Sequence, residues 1–377
     1  MIKPRLFTPG PTGVPEEVLV EMARPMFHHR TARFKELFAS VNDSLKRVLM
    51  TDRDVLTIAG SGTAAMEAAI ACAVPRGRKV LVANGGKFGE RWAKVARVYG
   101  LDVDEVELEW GTALAAETAR AKLSGGGYGA VVTVHSETST ATACDLEAIA
   151  KVVAGTDAIL IADCITSAGT LPLKMDDWGV DIVAAGSQKA FMLPPGLGFV
   201  AVSDKAWRAI DAVDAPGVYL DLKAYRKSIA ANDTPYTAPV SLIRGLKVSL
   251  DMILAAGVET VWRRTALLAA AVRAAAEPMG MKVFSRRPSD SVTALLYPEG
   301  VDDDFRKRLE RRYGCSIAGG QAHLKGKLCR ISHMGYVDPL ETIGLLAAME
   351  YTLADLGVDV RPGAGVSAAM DVLKDWQ

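Results

Sequence analysis

The sequence has no surplus of charge of either sign: 44 lysines and arginines are balanced by 44 aspartates and glutamates. That balance argues against nucleic acid or an anionic membrane as the main partner. Cysteine is scarce. Cys72, Cys144, Cys164, Cys315 and Cys329 are odd in number, scattered, and contain no CxxC pair, so they read as free thiols of a reducing compartment, not as a disulfide framework. The five histidines share no ligand spacing with them, and no metal is expected. No apolar run approaches the roughly 20 residues needed to cross a bilayer. The opening Met1-Ile2-Lys3-Pro4-Arg5 lacks the apolar stretch of a secretion signal, and Asp375-Trp376-Gln377 carries no address. A cytoplasmic location is therefore expected. Aromatic residues make up only 6% of the chain against 50% hydrophobic residues overall, the balance of an alanine-rich α/β enzyme.

What is present is length and alternation. A chain of 377 residues exceeds one small core, so two domains are expected. Residues 1–14 are turn-rich and read as an extended arm. Thr31 is placed to cap an amphipathic helix. Short β-branched runs at 55–58, 80–83, 130–134, 159–162, 182–185 and 198–202 alternate with helical patterns. Such alternation implies right-handed crossovers and a mostly parallel sheet covered on both faces. Residues 15–250 form the large domain on this reading. Residues 251–377 form a smaller C-terminal α+β domain, with strands near 292–297 and 328–333.

Ligands of such sheets gather at the carboxyl ends of strands, and the unusual residues fall there. Lys189 follows the run Val180-Asp181-Ile182-Val183-Ala184-Ala185 and precedes Pro194-Pro195-Gly196. Burial lowers an amine's pKa, and a neutral amine can attack an aldehyde. That points to pyridoxal 5'-phosphate and prompts a search for its other partners. Asp163 ends the strand pattern 26 positions earlier, where a carboxylate can hold the pyridine nitrogen protonated; a loop carboxylate or helix cap is the plainer alternative. Ser61-Gly62-Thr63, between a strand and a helix, can receive an anion. The same segment fits a dinucleotide fingerprint, and an NAD-dependent oxidoreductase is the rival reading. That reading requires an acid at the end of the next strand, and Leu81-Val82-Ala83-Asn84-Gly85-Gly86 has none. Phe88 can stack on a cofactor ring or simply pack in the core. Ser139, in His135-Ser136-Glu137-Thr138-Ser139-Thr140, can donate to a cofactor or cap a helix. Arg330 can bind a carboxylate or sit in a structural ion pair. His333, three positions after Arg330, reads as structural. His28-His29-Arg30 reads either as a solvated lead-in to a helix or as a reader of an anionic substrate side chain.

Asp163 with Gly186-Ser187-Gln188-Lys189 and Pro194-Pro195-Gly196 resembles the class V, fold-type I pyridoxal-phosphate aminotransferases, and within them the alanine–glyoxylate and serine–pyruvate branch. The resemblance runs from Thr8-Pro9-Gly10-Pro11-Thr12 through Ser61-Gly62-Thr63, Asn84-Gly85, Phe88-Gly89 and Glu137-Thr138-Ser139-Thr140 to Arg330-Ile331. It implies a seven-stranded sheet between helices and a homodimer with its active site at the subunit interface. The implied reaction is ping-pong transfer of an amino group from alanine or serine to glyoxylate or pyruvate. It implies that Lys189 makes the covalent link to the cofactor and Asp163 pairs with the ring nitrogen. Ser61, Gly62, Thr63 and Gln188 would surround the phosphate, Phe88 would stack on the ring and Ser139 would touch the cofactor. Arg330 and Gly10 would face the substrate. Thr234 and Thr237, in Thr234-Pro235-Tyr236-Thr237, would reach the partner subunit's phosphate. Cysteine desulfurases share this fold but carry a nucleophilic cysteine in a loop, where neither Cys315 nor Cys329 sits. Phosphoserine aminotransferases carry a pair similar to His29-Arg30, which leaves a phosphoserine or aspartate donor as the alternative.

Overall fold

The computed structural model describes residues 2–215 and 217–376. Seven strands form the central sheet, in the order Val55–Gly60, Gly196–Val202, Ile182–Gly186, Ile159–Asp163, Tyr128–Val134, Lys79–Asn84 and Asp102–Glu107. All neighbours are parallel except at Gly196–Val202, which runs antiparallel to both strands beside it. The fold class expected from the alternation is therefore the observed one. The interior strands are continuous apolar runs because helices cover both faces.

Asp102–Glu107 has no counterpart among the expected strands. It is an edge strand, and its Asp-Val-Asp-Glu-Val-Glu sequence is mostly solvent-facing, so it lacks the apolar run that marks the others. Gly196–Val202 returns without a helix between it and Ile182–Gly186. The intervening loop is closed instead by Ser187, whose N–H bonds Leu197 O at 3.0 Å and whose hydroxyl donates to Pro194 O at 2.9 Å.

Two large apolar cores follow one another along the chain. The first gathers Val18 through Ile253 around the central sheet; the second joins Phe7 to Leu268–Leu373. Helix Val240–Ala256 packs in the first and Val258–Ala276 mainly in the second, so the passage between them falls at Gly257 (φ +83°). The second core backs a four-stranded antiparallel sheet, Lys282–Val283, Val292–Leu296, Leu328–Ser332 and Ala318–Gly319. Helix Ala32–Leu49 opens as expected, with the Thr31 hydroxyl accepting from Phe34 N.

The extended arm joins the two cores. Arg5–Leu6 pairs in parallel with Cys315–Ser316, and Phe7 is buried in the second core. A few residues later the Thr12 hydroxyl donates to Lys189 O at 2.8 Å, in the loop of the first. No helix among the described residues is long and apolar enough to cross a membrane.

Candidate active site

The carboxyl ends of the parallel strands deliver the candidate residues to one place. Asp163 is the last residue of its strand, Lys189 lies three beyond Gly186, Ser61 one beyond Gly60, and Phe88 four beyond Asn84. Arg330 arrives from the second sheet, on the strand Leu328–Ser332. Its cross-strand neighbours there are Ala294 and Ala318, which leave room for a long side chain.

Lys189 is buried, and its Nζ donates to Pro9 O of the arm. Burial pushes its pKa down to about 8; Arg330 and Arg91 push the same way and Asp163 opposes them. The loop that holds it is rigid. Met192 N bonds Lys189 O at 3.0 Å, the Ser249 hydroxyl holds Phe191 O at 2.5 Å, and Phe191 packs edge-on against Phe199. Gly10 is required against this amine: a Cβ there would lie 2.5 Å from Lys189 Nζ, and its φ is +136°.

Asp163 is buried, and among the described residues no side chain forms an ion pair with it, although the charges of Lys189 and Arg91 are felt there. Its two oxygens accept from Trp92 Nε1 (2.9 Å) and Ile165 N (3.0 Å). Burial raises its pKa, and these two donors oppose that rise. Trp92 is a residue that sequence reasoning misses. It lies four residues after Phe88 on helix Lys87–Val98, on the same face, and that spacing was the available signal.

Ser61 caps helix Gly62–Ala73, yet its hydroxyl makes no capping bond and so is left available at the helix N-terminus. Gln188 Oε1 is buried without a partner, and it lies near Gly186, where a Cβ would stand 3.1 Å from it and 3.4 Å from Gly62 Cα. Thr63 Oγ1 accepts from Arg91 at 3.4 Å, and the Arg91 guanidinium lies 4.9 Å from the Phe88 ring centroid.

Ser139 is tied into the chain locally. Its hydroxyl accepts from Lys87 N (3.0 Å) and donates to Glu137 Oε1 (2.5 Å), so it ties down the start of the helix that carries Phe88. Glu137 is a second residue missed from sequence. It is buried, its pKa is raised by burial, and its Oε2 accepts from Phe88 N and Gly89 N, both at 3.1 Å. Arg330 is buried and bonds only main-chain carbonyls, Nε to Gly319 O and Nη1 to Thr138 O, both at 2.9 Å. Burial lowers its pKa to about 10, and Glu137 partly offsets this. Among the described residues no carboxylate pairs with it.

Three candidates lie apart from Lys189 within the chain. Arg30 Nη1 donates to Asp233 Oδ1 and Thr234 O, both at 2.6 Å, so His28-His29-Arg30 anchors the 233–235 turn. The Thr234 hydroxyl is committed to Tyr236 O, and Thr237 is exposed. Tyr219 connects this turn to the sheet, stacking on Tyr236 and donating to Ala59 O at 2.8 Å. His333 is buried against Thr293 at 2.8 Å, its pKa pushed down to about 3 by burial, which makes it a neutral structural group. All five cysteines are free and buried, and burial raises every thiol pKa. No thiolate nucleophile is therefore on offer. Among the described residues no group of three or more His, Cys, Asp or Glu is placed to hold a metal ion.

These side chains fit pyridoxal phosphate. A buried amine of depressed pKa, a buried acid with no ion-pair partner among the described residues and a helix start whose Ser61 hydroxyl is free each match one part of that molecule. Residues 6–342 match the family model of the class-V aminotransferases. The chain belongs to that family. It is thus a pyridoxal-phosphate-dependent aminotransferase. Among its relatives is a Synechococcus protein described as the small subunit of a soluble hydrogenase, 41% identical over 98% of each chain. The serine–glyoxylate aminotransferase of Methylorubrum extorquens is 37% identical over 98% of this chain and 96% of its own. The ureidoglycine–glyoxylate aminotransferase of Bacillus subtilis superposes with a TM-score of 0.95 at 27% identity, covering 100% of this chain and 99% of its own.

Proposed function

We propose that this aminotransferase moves an amino group from a small amino acid, alanine or serine, to glyoxylate or pyruvate. The observation that carries the reading is Arg330. It is a buried guanidinium whose only hydrogen-bond partners among the described residues are two main-chain carbonyls, which leaves a terminal nitrogen for a substrate α-carboxylate. The arm supports a small donor, because Pro9 O and Gly10 stand directly against the Lys189 amine and leave little space around it. Glyoxylate as acceptor is supported by the two transaminase relatives, each of which is named for it.

Pyridoxal phosphate, when bound, supplies the aldehyde that takes up the amino group and the ring that stabilises negative charge at the substrate α-carbon. The chain supplies everything else. Lys189 would be the covalent anchor and, once released, would move the proton at the donor α-carbon, a role suited to an amine with pKa near 8. Asp163, oriented by Trp92 and Ile165 N, would face the ring nitrogen. Arg330 would fix the donor carboxylate, and Phe88 would cover one ring face. Ser61, Gly62, Thr63 and Gln188 would receive the phosphate.

The exposed Thr237 supports a homodimer in which this residue completes the partner's phosphate site, whereas the Thr234 hydroxyl is committed to Tyr236 O of its own turn. Mixing Lys189→Ala and Thr237→Ala subunits should then restore activity that neither variant has alone. The deciding experiment is a donor panel of alanine, serine, aspartate and phosphoserine against glyoxylate and pyruvate. Ping-pong kinetics with alanine or serine as the best donor is the expected result. Preference for aspartate or phosphoserine would instead favour the acidic-donor reading.

A further inference from the structure

The phosphate of the cofactor carries between one and two negative charges at neutral pH. The turn read above as its site offers only neutral donors: the amides and hydroxyls of Ser61-Gly62-Thr63 and the amide of Gln188. A cation is missing from that list, and one stands at its edge. Arg91 lies on helix Lys87–Val98, three residues after Phe88, and is exposed at the edge of the site. Its Nη1 donates to Thr63 Oγ1, and its guanidinium lies over the Phe88 ring. The neighbouring Lys87 is paired with Glu90, whereas among the described residues no carboxylate pairs with Arg91. The groove between this helix and Gly62–Ala73, about 580 Å³, is lined by Thr63, Arg91 and Lys94 together with the carboxylates Glu67 and Glu90, the latter paired with Lys87. The charge of Arg91 is also felt at Lys189 and Asp163, which places it within electrostatic reach of the reacting centre.

We propose that Arg91 is the cationic ligand of the cofactor phosphate. The proposal rests on the pyridoxal-phosphate reading of this site and adds to it the residue that neutralises the phosphate. The planar fork can leave the weak Thr63 contact and take two phosphate oxygens, with the Phe88 ring holding it flat. Its importance is greatest when Lys189 is released from the cofactor during transamination, because retention then depends on non-covalent contacts.

The test compares two ligands that differ only in the phosphate. Full-length wild type, Arg91→Ala, Arg91→Lys and Lys94→Ala, each stripped of cofactor, are titrated with pyridoxal phosphate and with pyridoxal, following quenching of tryptophan fluorescence. Arg91→Ala should raise the Kd for pyridoxal phosphate about tenfold or more, the worth of one charge-assisted hydrogen bond. The Kd for pyridoxal should stay unchanged. Arg91→Lys should recover part of the loss, and Lys94→Ala should behave as wild type with both ligands. Equal weakening toward both ligands would assign Arg91 a purely structural role and overturn the proposal, as would no weakening at all. Should wild type bind neither ligand, the cofactor reading of the site falls, and the proposal with it. Pyridoxal binding by each variant serves as the internal check that it has folded.

Discussion

Trp92 donates its indole N–H to Asp163 Oδ2 at 2.9 Å, a bond between a helix and the end of a buried strand. Burial works to protonate this carboxyl, and the indole together with Ile165 N works against it. Trp92→Phe keeps most of the core volume and deletes the donor. A hydrogen bond to a charged group is worth about 1.5–3 kcal/mol. The variant should lose stability of that order in urea denaturation, and kcat should fall at least about tenfold, with the acid limb of the kcat profile moving to higher pH. Unchanged kcat and profile would mean that Asp163 is held by the main chain alone.

Lys189 makes a pH-dependent cost to the cofactor-free fold. Its pKa is about 8 in the folded chain against 10.5 when free. The sign follows from proton binding: below pH 8 both states are charged and the burial cost is present in full. Between about 8 and 10.5 the folded amine is already neutral while the unfolded one still holds its proton, so stability rises with pH. Above both values the cost is gone. At pH 7 it amounts to about 3 kcal/mol, less about 1 for the bond to Pro9 O. Lys189→Met should therefore be the more stable cofactor-free protein at pH 7 by about 2 kcal/mol in urea denaturation. The difference should shrink steadily toward pH 10.5. A difference independent of pH would show that the amine is not desolvated.

The contrast between what is legible and what is not follows from the range of the forces involved. The six expected strands lie in the central sheet because a strand buried on both faces leaves an unbroken apolar run. The edge strand Asp102–Glu107 leaves acids instead. Lys189 and Asp163 are legible because a charge at the end of such a run is costly without a purpose. Glu137 is not, since its cost is met by donors 48 and 49 positions away in sequence, at Gly89 and Phe88. Arg30 illustrates the limit in the other direction: a compact cationic motif is answered by Asp233, a partner 203 positions away.

Glu137 offers a test of that hidden wiring. Its Oε1 accepts from Ser139 N and Ser139 Oγ, and its Oε2 from Phe88 N and Gly89 N. Glu137→Gln is nearly isosteric, yet either orientation of the amide turns an NH2 group toward at least one main-chain N–H. Leaving a buried donor unsatisfied costs about 1–3 kcal/mol, so the variant should lose stability of that order in thermal or urea unfolding. Because these donors begin the helix that carries Phe88 and Trp92, kcat should fall as well. Stability equal to wild type would show that the helix start is held by other contacts.

The wall beside the Lys189 amine is made by a residue with no side chain. Gly10 has φ +136°, a conformation that residues with a Cβ rarely adopt, and an added Cβ would stand 2.5 Å from Lys189 Nζ and 2.7 Å from Cε. Gly10→Ala thus combines backbone strain of about 1–3 kcal/mol with a clash at the end of a flexible side chain. The fold can absorb the first, because the arm is also held by the pairing of Arg5–Leu6 with Cys315–Ser316 and by Thr12 on Lys189 O. The second is relieved only by moving the amine. The expected outcome is a protein that unfolds cooperatively with modestly lower stability, yet shows weaker visible absorbance of bound cofactor and, in a separate sample, less borohydride-trapped cofactor on Lys189 by mass. Turnover should fall more steeply than stability. If Gly10→Ala kept full linkage and full turnover, the arm would not be the wall that limits the space around Lys189, and the argument for a small amino donor would lose its structural support.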